Sequence, residues 1–348
     1  MPEQVVLSIK DLNVKFSLRG QMLHAIRGVS LDVYKSESLA IVGESGSGKT
    51  VLTKTFMGLL DNNGWIDSGS ILFEGKDLAA FDEEKDWLKV RGRKIAMVLQ
   101  DPMTSLNPLK SIGRQIGEAL ELHQSLKGEA AKKRIQEILA DVGIEEPARR
   151  MKQYPHQFSG GMRQRVVIAI AIACKPQVLI CDEPTTALDV TIQAQILNLI
   201  RDLVRKYHLT CVYITHDLGV VANVADRIAV MYAGDIVEIG TSEEVFYSPR
   251  HPYTWALLSS LPQLGIKGEE LSSIRGTPPS LFKDIHGDAF APRNPHALKI
   301  DFVQRPPYFD VSPTHKVRSW LLDSRAPEVK PPPVLSRIRR EGGSLYDQ

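Results

Sequence analysis

The sequence predicts an α/β fold built on buried parallel strands, followed by an irregular C-terminal segment. Two apolar runs point to the strands. Leu39-Ala-Ile-Val42 and Val178-Leu-Ile-Cys181 are short and continuous, and each leads into polar residues and then a helical pattern. Strands covered by helices on both faces read this way. The irregular segment is announced by proline: residues 1–255 hold 9 of the 21 prolines and the last 93 residues hold 12. That shift places a boundary near 250–260, where regular elements give way to turns.

Composition removes several function classes. The 348 residues carry 43 Lys plus Arg against 41 Asp plus Glu, a net charge of +2. A sequence-blind nucleic-acid binder would show a basic excess, so no nucleic-acid partner is expected. The longest apolar run, Val166–Cys174, is nine residues, and a membrane span needs about 20. Met1–Lys10 alternates like a strand and lacks the basic-then-apolar order of a leader. The chain therefore reads as cytosolic unless a partner holds it at a membrane. Cys174, Cys181 and Cys211 sit in apolar stretches without metal-ligand spacing, as buried thiols do in a reducing compartment.

Between the two apolar strands lies a different pattern. Ile135, Ile138, Leu139 and Val142 recur at helical spacing from Lys127 to Val142, with charges on the opposite face. A helical insert of roughly 110–157 thus interrupts the α/β core. Beyond residue 325 the chain holds Pro331-Pro332-Pro333, Arg337, Arg339 and Arg340, which predicts an extended, solvated arm. The sequence contains no internal repeat.

The polar residues after each strand carry the chemistry. Gly43-Glu44-Ser45-Gly46-Ser47-Gly48-Lys49-Thr50 fits G-x-x-x-x-G-K-[ST], between a strand and the helical run Val51–Leu60. Glycines let backbone N–H groups wrap phosphate oxygens at a helix N-terminus. Lys49 would reach the β- and γ-phosphates, and the Thr50 hydroxyl would ligate Mg²⁺. Asp182 ends the second strand, where it would support the Mg²⁺ shell, and Glu183 would polarise a water in line with the γ-phosphate. These two motifs define a P-loop NTPase.

Ser159-Gly160-Gly161-Met162-Arg163-Gln164-Arg165, upstream of Asp182, narrows the reading: its Ser hydroxyl and glycine N–H groups at a helix start would make a second anion nest. Here the chain resembles the ATP-binding cassette family, whose signature has this Ser-Gly-Gly core. Phe158 and Met162 replace the more common outer residues. Further family elements follow in order. Gln100, after Ile95–Leu99, matches the loop glutamine that touches Mg²⁺. Ala187-Leu188-Asp189 matches the loop crossing the dimer interface. His216, after Val212–Thr215, matches the switch histidine at the γ-phosphate, and Phe16 sits where an aromatic stacks on adenine. The resemblance adds Thr53 and Asp189 to the nucleotide-binding set, and it allows Ser36 at a turn that often holds glycine. It implies a P-loop nucleotide-binding domain with a RecA-like core, an antiparallel β subdomain and a helical signature subdomain.

A narrower likeness covers Gln100-Asp-Pro-Met-Thr-Ser-Leu-Asn-Pro108, His251-Pro-Tyr-Thr-Trp-Ala-Leu-Leu-Ser-Ser-Leu-Pro262 and Arg275-Gly-Thr-Pro-Pro279. These segments resemble oligopeptide and dipeptide permease ATPases, most nearly the first of the two ATPases of Gram-positive, Ami-type importers. The resemblance implies an ATP-binding domain over 1–255, an extension over 256–325 and a tail over 326–348. It also implies a second, different ATPase subunit, two transmembrane permease subunits, an external peptide-binding lipoprotein acting indirectly, and a place on the cytoplasmic face of the membrane. Dipeptides, nickel or another small solute are the alternative cargoes. A soluble, non-transport cassette protein or a non-hydrolysing regulator fits less well, since there is one cassette, no sustained heptads, and both Glu183 and His216. Many relatives hold an iron–sulfur cluster through four extension cysteines. Those positions here read Asp288, Asn294, Asp301 and Ser319, so no cluster is expected. Packing by Phe290, Phe302, Phe309 and Trp320 would replace it, and the two aspartates read as solvated surface groups.

Overall fold

The structure is a computed structural model, and it describes residues 4–186, 188–261 and 274–335. Ala187, Pro262, Arg337, Arg339 and Arg340, and the first three residues of the expected N-terminal strand, lie outside the described residues. The chain divides into two compact units, each assembled from several segments. One takes residues up to 5, 33–38 and 80–214; the other takes 6–32, 39–79 and 215 onward.

The first unit holds three parallel strands, Ile95–Val98, Val178–Asp182 and Thr210–Thr215, in register at Ile95↔Val178 and Val178↔Thr210. All five residues of Val178–Asp182 are buried, as a strand covered on both faces requires. Ser36 takes a left-handed φ of 60°, and its N–H donates to Thr210 Oγ1 at 2.9 Å. The Ser-for-Gly departure is thus accepted with a hydrogen bond to offset the strain. The insert contains the helices Ile112–Gln124 and Gly128–Asp141, the second burying Ile135, Ile138 and Leu139. Ser111 caps the first of them by accepting from Arg114 N. All three cysteines are free and buried.

The second unit holds an antiparallel sheet in the order Gln21–Tyr34, Val5–Leu18, Gly64–Phe73, Lys76–Asp77. It also holds Ser38–Val42 parallel to Arg227–Tyr232, which continues antiparallel into Asp235–Thr241. The helix after Ser38–Val42 is Lys49–Phe56, shorter than the expected helical run Val51–Leu60. It stops where Gly58 turns to φ 57° and Met57 N–H folds back on Lys54 O.

The extension belongs to this second unit. Its strand Lys316–Val317 pairs with Asp235–Thr241 at Glu238↔Val317, and Phe309–Asp310 pairs outside it. The exposed edge of Asp235–Thr241 is thereby covered. Glu238, fully buried, accepts from Arg250 N at 2.7 Å and His251 N at 3.1 Å and pairs with His315 Nε2 at 2.7 Å. The helix Pro252–Ser259 runs through residue 255, where the composition shift falls.

Three expectations for the extension and tail need correction. Phe290 packs edge-on against Tyr232, and Phe309 against Trp320, but Phe302 is 57% exposed. The aspartates are not solvated. Asp288, Asn294, Asp301 and Ser319 are all at most 8% exposed. Each caps its own turn, accepting from Phe290 N, His296 N, Leu298 N and Leu321 N respectively. Buried polar groups persist because these bonds offset desolvation. The tail is not wholly solvated either, since Leu335 is 6% exposed, and Pro332 and Val334 line a cavity of about 650 Å³ with Trp255 and Pro295.

Candidate active site

Gly43–Thr50, the expected phosphate loop, lies in the second unit. Gly43 has φ 157°, and a Cβ there would fall 2.1 Å from Met231 O. Gly48 has φ 102° and caps the helix Lys49–Phe56; its Cβ would fall 2.9 Å from Ala25 O. Side chains are excluded because the loop is pressed against neighbouring backbone. Gly43→Ala should therefore cost about 2–3 kcal/mol and weaken nucleotide binding; a urea-unfolding midpoint equal to the parent's would contradict the close approach.

Lys49 Nζ donates to Gly43 O at 2.8 Å and Glu44 O at 2.9 Å, so its ammonium bridges the loop from inside. Gly234 N–H donates to Ser47 O at 2.9 Å and fixes the far side. Ser45, Gly46 and Thr50 are exposed, while Ser47 is buried. Thr53 is fully buried, and its hydroxyl donates to the carbonyls of Lys49 and Thr50, so it turns into its own helix instead of toward a ligand. Phe16 is only 8% exposed and lies opposite Gly64, where a Cβ would meet its Cε1 at 2.4 Å. His216 is exposed, directly after Thr210–Thr215, and Asp217 then caps the short helix Leu218–Val221.

The first unit carries the carboxylates. Asp182 is 6% exposed at the end of its strand. Glu183 follows with a left-handed φ of 43°, its N–H held by Ile214 O at 2.9 Å. Its Oε2 accepts from Gln100 Nε2 at 3.2 Å and from Thr186 Oγ1 at 2.8 Å. A non-glycine residue in this region is strained, and such strain gathers where a side chain must be aimed. Sequence reasoning named Gln100 but missed Thr186; a hydroxyl three residues beyond the carboxylate was the available signal.

Ser159 is the N-cap of the helix Gly160–Ile172, accepting from Met162 N at 3.4 Å. Ser159 and Gly160 are exposed, which leaves an accessible helix N-terminus suited to an anion. Phe158 is buried beneath it, so the unusual outer residue packs into the interior. Asp189 caps Val190–Tyr207 in the same way, accepting from Ile192 N at 3.0 Å.

Sequence reasoning also missed two residues at the phosphate loop. Tyr253 Oη accepts from Glu44 N at 2.7 Å, and Arg293 grips the Glu44 carboxylate through Nη1 at 2.5 Å and Nη2 at 3.0 Å. Pairing with Glu44 raises the Arg293 pKa above its ordinary value. No local motif flags a contact across 249 residues.

A glycine-lined phosphate loop, a strand-end Asp-Glu pair and an exposed Ser-Gly-Gly helix start together define an ATPase of the ATP-binding cassette class. Residues 26–186 match the family described as ABC transporter, and residues 237–300 match the oligopeptide/dipeptide transporter, C-terminal region. The oligopeptide transport ATP-binding protein AmiE of Streptococcus pneumoniae is 57% identical over 336 residues, 97% of this chain and 95% of its own. The corresponding protein OppD of Bacillus subtilis is 56% identical, over 99% of this chain and 96% of its own. The dipeptide transport ATP-binding protein DppD of Lactococcus lactis is 54% identical, with 98% of each chain covered. Among solved structures, cbiO1 of Clostridium perfringens, part of an ABC transporter complex, superposes with a TM-score of 0.61 at 29% identity, over 71% of this chain and 92% of its own. The dimeric cassette MJ0796 bound to ADP and Pi gives 0.60 at 27% identity, over 68% of this chain and 98% of its own. The chain belongs to the peptide-transport ATP-binding proteins of the ABC transporter family.

Proposed function

We propose that this ATPase energises a binding-protein-dependent importer of oligopeptides. The observation that carries the catalytic reading is the Glu183 carboxylate, held by Gln100 and Thr186 directly after a fully buried strand. There it would orient and deprotonate the attacking water. Lys49 and the N–H groups of Gly43–Thr50 would bind the phosphates, with His216 beside the γ-phosphate and Phe16 near the base. Ser159, Gly160, Gly161 and Asp189 would serve the nucleotide of an opposing subunit. Thr50, Asp182 and Gln100 offer hard oxygen donors of the kind Mg²⁺ takes, and that ion would neutralise phosphate charge. Taken by itself, the exposed Thr50 suits this use.

The organisation proposed is an ATP-binding domain over 1–255, a metal-free extension over 256–325 and a tail. The partners proposed are a second, different ATPase, two permease subunits and, indirectly, an external peptide-binding lipoprotein. No described helix is long and apolar enough to cross a membrane, so attachment to the cytoplasmic face would run through the permeases. Dipeptide cargo is the second reading, favoured by the 54% identity to a dipeptide transport protein.

Affinity purification of the tagged chain from solubilised membranes should recover two permeases and one other ATPase. Two copies of this chain with no second ATPase would defeat the heterodimer. Deleting the gene should abolish uptake of labelled tetra- and pentapeptides; loss of dipeptide uptake alone would favour the second reading.

A further inference from the structure

An anion-binding loop gains from every N–H it presents and loses from every carboxylate it carries. Glu44 is a carboxylate inside the loop, one residue after Gly43. It would oppose a triphosphate by simple Coulomb repulsion. Two features of the fold restrain it. Its N–H is tied to the Tyr253 hydroxyl, whose residue is fully buried. Its two carboxylate oxygens take a fork of hydrogen bonds from Arg293, whose side chain is 4% exposed.

Arg293 is itself fixed on every side. Its Nε donates to Arg275 O at 2.8 Å, its Nη2 to Ile274 O at 3.3 Å, and its Nη1 to the Tyr232 hydroxyl at 3.1 Å. Its guanidinium lies 5.9 Å from the Phe290 ring centre. The same stretch of the extension covers the loop's outer face: Pro278, Pro279 and Leu281 line a cavity of 20 Å³ with Glu44, Ser45, Gly46 and Ser47. A planar fork held this tightly offsets the charge of its partner carboxylate and fixes its direction.

We propose that Arg293 is a positioning residue for nucleotide binding: the extension completes the phosphate loop by neutralising Glu44 and holding its carboxylate aside. The extension then acts on ATP affinity through one ion pair, beyond covering a sheet edge. The inference rests on the reading of Gly43–Thr50 as the phosphate site.

The test measures ATP affinity of the full-length chain with a fluorescent ATP analogue and competing ATP. Arg293→Gln should weaken binding about tenfold, since the Glu44 charge, on a side chain 26% exposed, would then face the phosphates unpaired. Glu44→Gln added to that variant should bring affinity back to within about threefold of the parent, since the repelling charge is gone. A purely structural role would not produce this rescue, because the second substitution restores no contact that the first removed. Arg293→Lys keeps the charge without the fork and should fall between the parent and Arg293→Gln. Thermal unfolding of each variant separates folding defects from affinity. The proposal is overturned if Arg293→Gln binds within twofold of the parent, if the double variant stays as weak as the single one, or if Arg293→Lys binds more weakly than Arg293→Gln. Lys49→Ala serves as the control: if it binds ATP like the parent, the phosphate-loop reading itself fails, whatever Arg293 does.

Discussion

Glu183→Gln is expected to leave ATP affinity close to the parent's and to slow hydrolysis by about 10³-fold in the assembled transporter, within the range that a positioned general base supplies. The substitution is nearly isosteric, and a glutamine Oε1 still accepts from Gln100 and Thr186, as Glu183 Oε2 does. The strand end, the left-handed turn and the hydrogen bonds therefore persist. What disappears is the negative charge that would take a proton from water. Single-turnover phosphate release beside an ATP-binding titration makes the separation. Hydrolysis near the parent rate would take Glu183 away from the reacting water, and loss of binding would make it a binding residue.

The second large effect lies in the extension and concerns stability. Burial pushes the Asp288 carboxyl from an ordinary 3.8 up to about 7. Asp301 and Asp235 add to the shift, while the Phe290 N–H and Arg27 oppose it. The folded state therefore holds the proton longer than the unfolded chain does. Below about pH 4 both states are protonated and burial carries no charge penalty. Between about pH 4 and 7 folding takes up a proton, so stability falls as pH rises. Above about pH 7 both states are ionised and the full cost remains, roughly 4 kcal/mol at about 1.4 kcal/mol per unit of pKa separation. Asp288→Asn keeps an oxygen for the Phe290 N–H and removes the charge. It should be more stable than the parent at pH 8 by up to ~4 kcal/mol, with the gap shrinking by more than half at pH 5. Urea unfolding at pH 5, 6.5 and 8 would measure this. A gap independent of pH, or a parent more stable at pH 8, would exclude a buried, neutral-preferring Asp288.

Much of the cassette was legible because its signals are local. The strand Val178–Asp182 is a run of apolar residues, and the phosphate loop is eight consecutive residues whose glycines answer to backbone geometry. The helical insert declared itself through the spacing of Ile135, Ile138 and Leu139. The extension was legible only as irregular. Reading Asp288 and Asp301 as solvated failed because charge alone argues for the surface. Capping bonds from Phe290 N and Leu298 N, with Asp301 O also accepting from Asp288 N, reverse that argument only once the chain is folded. Phe302 failed in the opposite sense: an aromatic ring argues for burial, yet nothing in the sequence says which face of a short turn looks outward.

The sequence by itself carried what consecutive residues can encode: the P-loop pattern Gly43–Thr50, the Asp182-Glu183 pair after an apolar strand, and the Ser-Gly-Gly core through which the chain resembles the ATP-binding cassette family. It did so because N–H groups, glycine turns and strand ends lie within a few residues of one another. Only the tertiary structure decided how the loop is supported. Arg293 meets Glu44 across 249 residues, and Tyr253 meets the same residue across 209. Val317 meets Glu238 on the covered sheet edge. Such pairs are selected by the packing of whole elements and leave no periodic trace along the chain. A carboxylate in the middle of an anion-binding loop is unremarkable as a letter, and acquires a physical meaning only when the cation that neutralises it is seen.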